Sequence, residues 1–171
     1  MSEENRQLGN AARASHRWDS MDSMGAQRRR KPGSTDGRRL LLADAGMLAG
    51  FRRAEPSLDQ FDAALSDLAS DDLAIAVLAD ASLKRDLPDG QQDRFERYRG
   101  DGTIVCAAAG SEGGHTGFMR AVAERACRKG TFAEVLVLTA RDIGKGRWKL
   151  VRLGRDGDKW TLVSSTSTRA G

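Results

Sequence analysis

Cysteine is scarce in this chain. Its 171 residues hold two, Cys106 and Cys127, isolated from one another and forming no metal-type pair. That spacing excludes a disulfide framework or a zinc ribbon, and it predicts two small buried thiols in a reducing cytoplasm. Long apolar runs are missing too. None approaches the ~20 residues that a bilayer span requires, so no membrane partner is expected. The opening Met1-Ser2-Glu3-Glu4 has no apolar core of the secretory kind, and the expected location is cytoplasmic. A P-loop is absent, because no Gly-Lys-Ser/Thr follows any of the glycines. Hydrophobic residues make up only 39% of the chain and the mean hydropathy is −0.53, so part of the chain is expected to stay outside any core.

What the chain does have is charge, unevenly placed. Residues 1–39 carry nine Lys/Arg against five Asp/Glu, whereas residues 40–171 carry nineteen of each. Within the latter, residues 141–171 hold eight basic and three acidic groups, leaving an acidic middle between two basic ends. Basic ends favour polyanions through counterion release, or they simply solubilise. Residues 1–38 show no sustained apolar period and read as a disordered basic arm, with Arg28, Arg29, Arg30 and Lys31 before a Pro-Gly-Ser-Thr-Asp-Gly hinge.

Three apolar runs then carry the organisation. Leu40-Leu-Leu-Ala43 ends at Asp44, Leu73 to Ala79 ends at Asp80, and Glu134 to Thr139 is followed by Asp142. Continuous apolar runs suit strands covered on both faces, and the carboxyl ends of such strands line the ligand crevice of an open α/β sheet. Ser57-Leu-Asp-Gln60 has the form of a capping box, opening a helix with Leu58, Phe61, Leu65 and Leu68 on one face. Pro88-Asp-Gly90 reads as an interruption before a helix at 91–99, and Thr103 to Ala108 as a third strand. The glycines at 110, 113, 114 and 117 read as a mobile loop, and a helix is expected over 116–129, closed by Gly130. His115 reads as a helix cap or a solvent-facing residue. Segments 147–153 and 159–164 alternate around Asp156-Gly157, which predicts a β-hairpin that extends or covers the sheet, with Trp148 and Trp160 packing, before a frayed tail.

Taken together, Leu40-Leu-Leu-Ala-Asp44-Ala-Gly-Met47, Ala79-Asp80-Ala-Ser-Leu-Lys84, Ala107-Ala-Ala-Gly-Ser-Glu112 and Thr139-Ala-Arg-Asp142 resemble, in order and spacing, the phrases of a PIN-like nuclease domain of the NYN type. The resemblance covers about residues 39–143. It implies a three-layer α/β/α fold with a mainly parallel four-stranded sheet, preceded by the arm (1–38) and followed by a C-terminal hairpin and tail (144–171). It also implies a metal-dependent endoribonuclease acting on single-stranded RNA, with Asp44, Asp80 and Asp142 catalytic. Mg²⁺ or Mn²⁺ would be held by Asp44, Asp80, Glu112 and Asp142, and RNA by Arg28, Arg29, Arg30, Lys31, Lys84, Arg85, Arg141 and Lys145. Self-association stays open. The chain departs from the family phrases at Met47, at His115-Thr116 and at Arg141, where the family has asparagine, acidic residues and aspartate. Two alternatives follow: a degenerate domain of the same fold that binds RNA or protein without cleaving, and an interaction protein whose α/β core only displays the basic ends.

Overall fold

A computed structural model describes residues 37–50 and 55–165. The elements run β1 (Arg39–Asp44), α1 (Ala45–Leu48), α2 (Leu58–Leu68), β2 (Leu73–Ala79), α3 (Leu83–Asp86), α4 (Asp89–Asp101), β3 (Val105–Cys106), α5 (Gly114–Lys129), β4 (Glu134–Leu138), β5 (Lys149–Asp156) and β6 (Lys159–Ser164). They form one six-stranded sheet in the order β3-β2-β1-β4-β5-β6. Every pairing is parallel except β5 with β6. The fold is therefore α/β, with helices on both faces.

β1 is central because its residues are apolar on both sides. Leu41 and Ala43 face a core with Leu58, Phe61, Ala64 and Leu68 of α2 and Phe95 of α4. Leu40 and Leu42 face the opposite core, built with Met119, Ala123 and Ala126 of α5. This is the period-two alternation of a strand buried on both faces. Burying a Leu side chain fully is worth about 1.5–3 kcal/mol, so the four β1 residues Leu40 to Ala43, all at 0% exposure, anchor both layers.

The four expected strands become six, because the hairpin takes the first of its two expected placements and extends the sheet. The hairpin joins the sheet, because β5 pairs in parallel with β4 through Leu136↔Lys149 to Leu138↔Val151. Its inner face packs Val151, Leu153, Trp160 and Leu162 into the core that holds α2. The backbone N–H of Trp160 donates to Asp67 Oδ2 of α2 at 2.9 Å.

Other boundaries shift for local reasons. Ser57 caps α2 as read, its Oγ accepting from Asp59 N. The third strand shrinks to Val105–Cys106, since it is an edge strand paired only with Leu78 and Ala79. α4 starts at Asp89 rather than 91, with Pro88 at the N-cap, because proline before an acidic first turn suits a helix start as well as a turn. Both cysteines are free, Cys106 buried and Cys127 half-buried. Among the described residues, no helix is long and apolar enough to cross a membrane. The basic arm, including Arg28 to Lys31, and the end of the tail lie outside the described residues.

Candidate functional site at the carboxyl edge of the sheet

β1 and β2 are neighbours in register, Asp44 lying opposite Leu78. Asp44 and Asp80 therefore emerge at the same edge of the sheet. Both line a cleft of about 340 Å³ with Gly46, Met47, Ser82, Leu83, Asp86, Ala140 and Arg141. Asp44 closes β1 and serves as N-cap of α1, its Oδ1 accepting from Gly46 N at 3.2 Å. Its Oδ2 accepts from the Thr139 hydroxyl at 3.1 Å. The same Thr139 Oγ1 accepts from Arg141 N at 3.1 Å, which ties the end of β4 to the end of β1.

Behind Asp44 stands His115, in the first turn of α5. Its Nε2 lies 3.3 Å from Asp44 Oδ1, and its side chain is only 3% exposed. Neither ring nitrogen has a hydrogen-bond partner among the described residues. The expectation of a capping or solvent-facing histidine is corrected: α5 starts at Gly114 instead of 116, so His115 is its second residue, and its ring is buried against Asp44.

Asp80 is held differently. Its Oδ1 accepts from Ser82 N at 3.1 Å, and its Oδ2 from Arg141 Nη2 at 3.0 Å. Partial burial pushes its pKa up. The Ser82 backbone and side chain and the charges of His115 and Arg141 outweigh that, and hold the carboxyl below its ordinary value. Asp80 is therefore ionised at neutral pH and already carries a guanidinium.

The remaining sequence candidates lie elsewhere. Asp142 is exposed, and its Oδ1 accepts from Gly144 N at 2.8 Å, shaping the turn after β4. It does not line the cleft, and neither does Glu112, an exposed loop residue whose carbonyl oxygen abuts Gly117. Lys84 pairs with Glu96 at 3.0 Å. Arg85 is exposed on α3, and Lys145 lines a separate groove. Sequence reasoning missed Asp86, Ser82 and Thr139. Ser82 and Thr139 carried a signal, as hydroxyl residues beside Asp80 and Arg141; Asp86 carried none.

The donor set decides which cation could fit. Among the described residues, no group of three or more His, Cys, Asp or Glu could enclose an ion. A dedicated protein cage of the Ca²⁺ kind is therefore not what this cleft provides. Mg²⁺ typically keeps several waters and takes one or two carboxylates together with substrate phosphates. Asp44 and Asp80 are the two carboxylates that such a pattern would use, and Asp80 is at present paired with Arg141 at 3.0 Å. Comparison with protein families, curated proteins and solved structures returns no match for this chain.

Proposed function

We propose that this chain is a PIN-like, metal-dependent endoribonuclease of the NYN type acting on single-stranded RNA, with the cleft at the carboxyl edge of the sheet as its active site. The observation that carries this reading is the convergence of Asp44 and Asp80, from adjacent parallel strands, on one open cleft beside an arginine. An open α/β sheet binds its ligand at this edge. Asp44 and Asp80 would hold Mg²⁺ or Mn²⁺, which when bound supplies an activated water and offsets charge developing at phosphorus. The chain's own residues do the positioning. Thr139 and the Gly46 N–H fix the Asp44 carboxylate. Arg141 is placed to exchange Asp80 for a phosphate oxygen, a bidentate match for a guanidinium.

A second reading, a catalytically degenerate domain of the same fold that binds RNA, is favoured by the Asp80–Arg141 ion pair itself. An arginine already neutralises one of the two carboxylates that a cation needs. One experiment separates the two. A labelled single-stranded RNA is incubated with wild type and with Asp44→Asn, in Mn²⁺ or in EDTA, and binding is measured in parallel. Cleavage by the wild type in Mn²⁺ alone, reduced at least a hundredfold in Asp44→Asn with binding kept, is the expected result. Equal cleavage by both proteins rejects catalysis at this cleft, and binding without cleavage by either one selects the degenerate domain.

A further inference from the structure

A second concave feature lies on the α5 face. Glu124, Cys127 and Arg128 of α5 meet Lys145, Gly146, Arg147 and Trp148, and together they line a groove of about 240 Å³. Its position follows from the connection between β4 and β5. These strands are parallel, and β5 begins at Lys149 opposite Leu136, so residues 139–148 carry the chain from the carboxyl edge of the sheet back to the middle of β4. Ile143 and Trp148 pack into the α5-side core on the way. Arg120 Nη1 holds the segment by donating to the Ile143 carbonyl at 3.0 Å. One end of the segment touches the cleft at Ala140 and Arg141, and the other end forms the groove. Along α5, the groove residues lie nine to thirteen positions beyond His115, roughly 15–20 Å at the rise of an α-helix.

The charge of the groove is lopsided. Arg128, Lys145 and Arg147 are exposed, and none of them has an ion-pair partner among the described residues. The one carboxylate present, Glu124, is taken up by Arg120 Nε at 3.0 Å. Three like charges around one concavity repel one another, and a polyanion relieves that repulsion. Gly146 lets the Trp148 ring pack against the segment, since that ring occupies the space where a side chain at position 146 would project.

We propose that this groove is a second phosphate-binding site for single-stranded RNA, in which Arg128, Lys145 and Arg147 hold the backbone of a strand whose other part lies in the Asp44–Asp80 cleft. The proposal rests on the RNA reading above and deepens it, naming a contact outside the catalytic edge. The ligand is a polyanionic strand rather than a single phosphate, since three separate cations on two elements face one channel.

The test is binding of a ten-nucleotide single-stranded RNA to the full chain in EDTA, where metal-dependent cleavage does not interfere, across a salt series. Arg128→Ala/Lys145→Ala/Arg147→Ala is compared with Arg97→Ala/Arg152→Ala/Lys159→Ala, which removes equal charge from exposed positions elsewhere. Circular dichroism confirms that both fold. Each phosphate contact on a single strand contributes ~0.7 to the slope of log K against log salt, so the groove variant should lose about two units of slope and at least tenfold affinity at low salt. The control should lose far less. Equal losses in the two variants, or an unchanged slope, overturn the proposal. So does loss of binding to phosphatidylserine vesicles with RNA affinity kept, which would make the groove a membrane contact. The outcomes also separate this proposal from the nuclease reading. RNA bound through the groove but never cut leaves the groove standing and removes the enzyme, whereas RNA cut with an unchanged slope does the reverse.

Discussion

Arg141 is the residue on which the competing readings turn. It lines the cleft with one side-chain hydrogen bond to Asp80, at a position where the proposed nuclease reading would expect aspartate. A guanidinium there lowers the local affinity for a cation, because a like charge within a few ångströms opposes binding. On the nuclease reading, Arg141→Asp should therefore lower the Mn²⁺ concentration needed for half-maximal RNA cleavage by about tenfold, with the fold unchanged because the side chain lies at the surface, 44% exposed. A rise in that concentration would show that Arg141 assists the reaction, by holding the substrate's phosphate. Asp44 and Asp80 were legible in the sequence because each ends an apolar run that becomes a buried parallel strand. The companion residues were not. Thr139 reaches Asp44 across 95 positions of chain, and His115 sits in a glycine-rich stretch whose helical start no apolar residue marks. Asp142 misleads in the opposite direction. It follows a strand and accepts from the backbone two residues on, as Asp44 and Asp80 do, but it does not line the cleft, a difference that sequence spacing cannot show.

The start of α5 shows how a glycine cluster can be read two ways. Gly110 and Gly113 adopt positive φ in the loop, and so does Gly114 at the first position of α5, yet Gly117 lies inside the helix. There it is needed for a different reason. A Cβ at Gly117 would be driven into the carbonyl oxygen of Glu112, and a backbone atom cannot rotate aside. Alanine gains about 1 kcal/mol of helix propensity over glycine. The overlap should outweigh that gain, since overpacking costs about 1–3 kcal/mol. Gly117→Ala is thus expected to lower stability by about 1 kcal/mol in urea unfolding, and to displace His115 by shifting the first turn of α5. A stabilised variant would mean that the Glu112 loop yields freely. The strands were easier to read than this turn, because burial on both faces leaves a long apolar signature, while close backbone approach leaves only a glycine among other glycines.

At the scale of the whole molecule, the hairpin is part of the fold and not an appendage to it. The sequence separated residues 144–171 from the α/β unit because alternation with period two replaces continuous apolar runs at that point. In the structure the change of pattern marks a change of environment within one sheet: β5 and β6 bury only the face turned toward α2, while Leu150 and Val163 remain 45% and 39% exposed on the other. Lys149 pairs with Glu134 of β4, Arg155 stacks over the Trp160 ring at 4.4 Å, and Asp67 of α2 anchors the Trp160 backbone. Removing residues 147–171 would strip Val151, Leu153, Trp160 and Leu162 from the core that contains Phe61. It would also leave β4 as an exposed apolar edge, with Leu136, Val137 and Leu138 at 4%, 0% and 0% exposure in the intact chain. Edges of that kind pair with other chains and aggregate. The truncated protein is therefore expected to lose its cooperative urea transition or to precipitate, and with it to lose the Asp44–Asp80 cleft, whose Thr139 support sits at the end of β4. A truncated chain that unfolds at the wild-type urea midpoint would show instead that β1, β2 and β4 form a self-sufficient core, and that the hairpin is only a platform attached to its side.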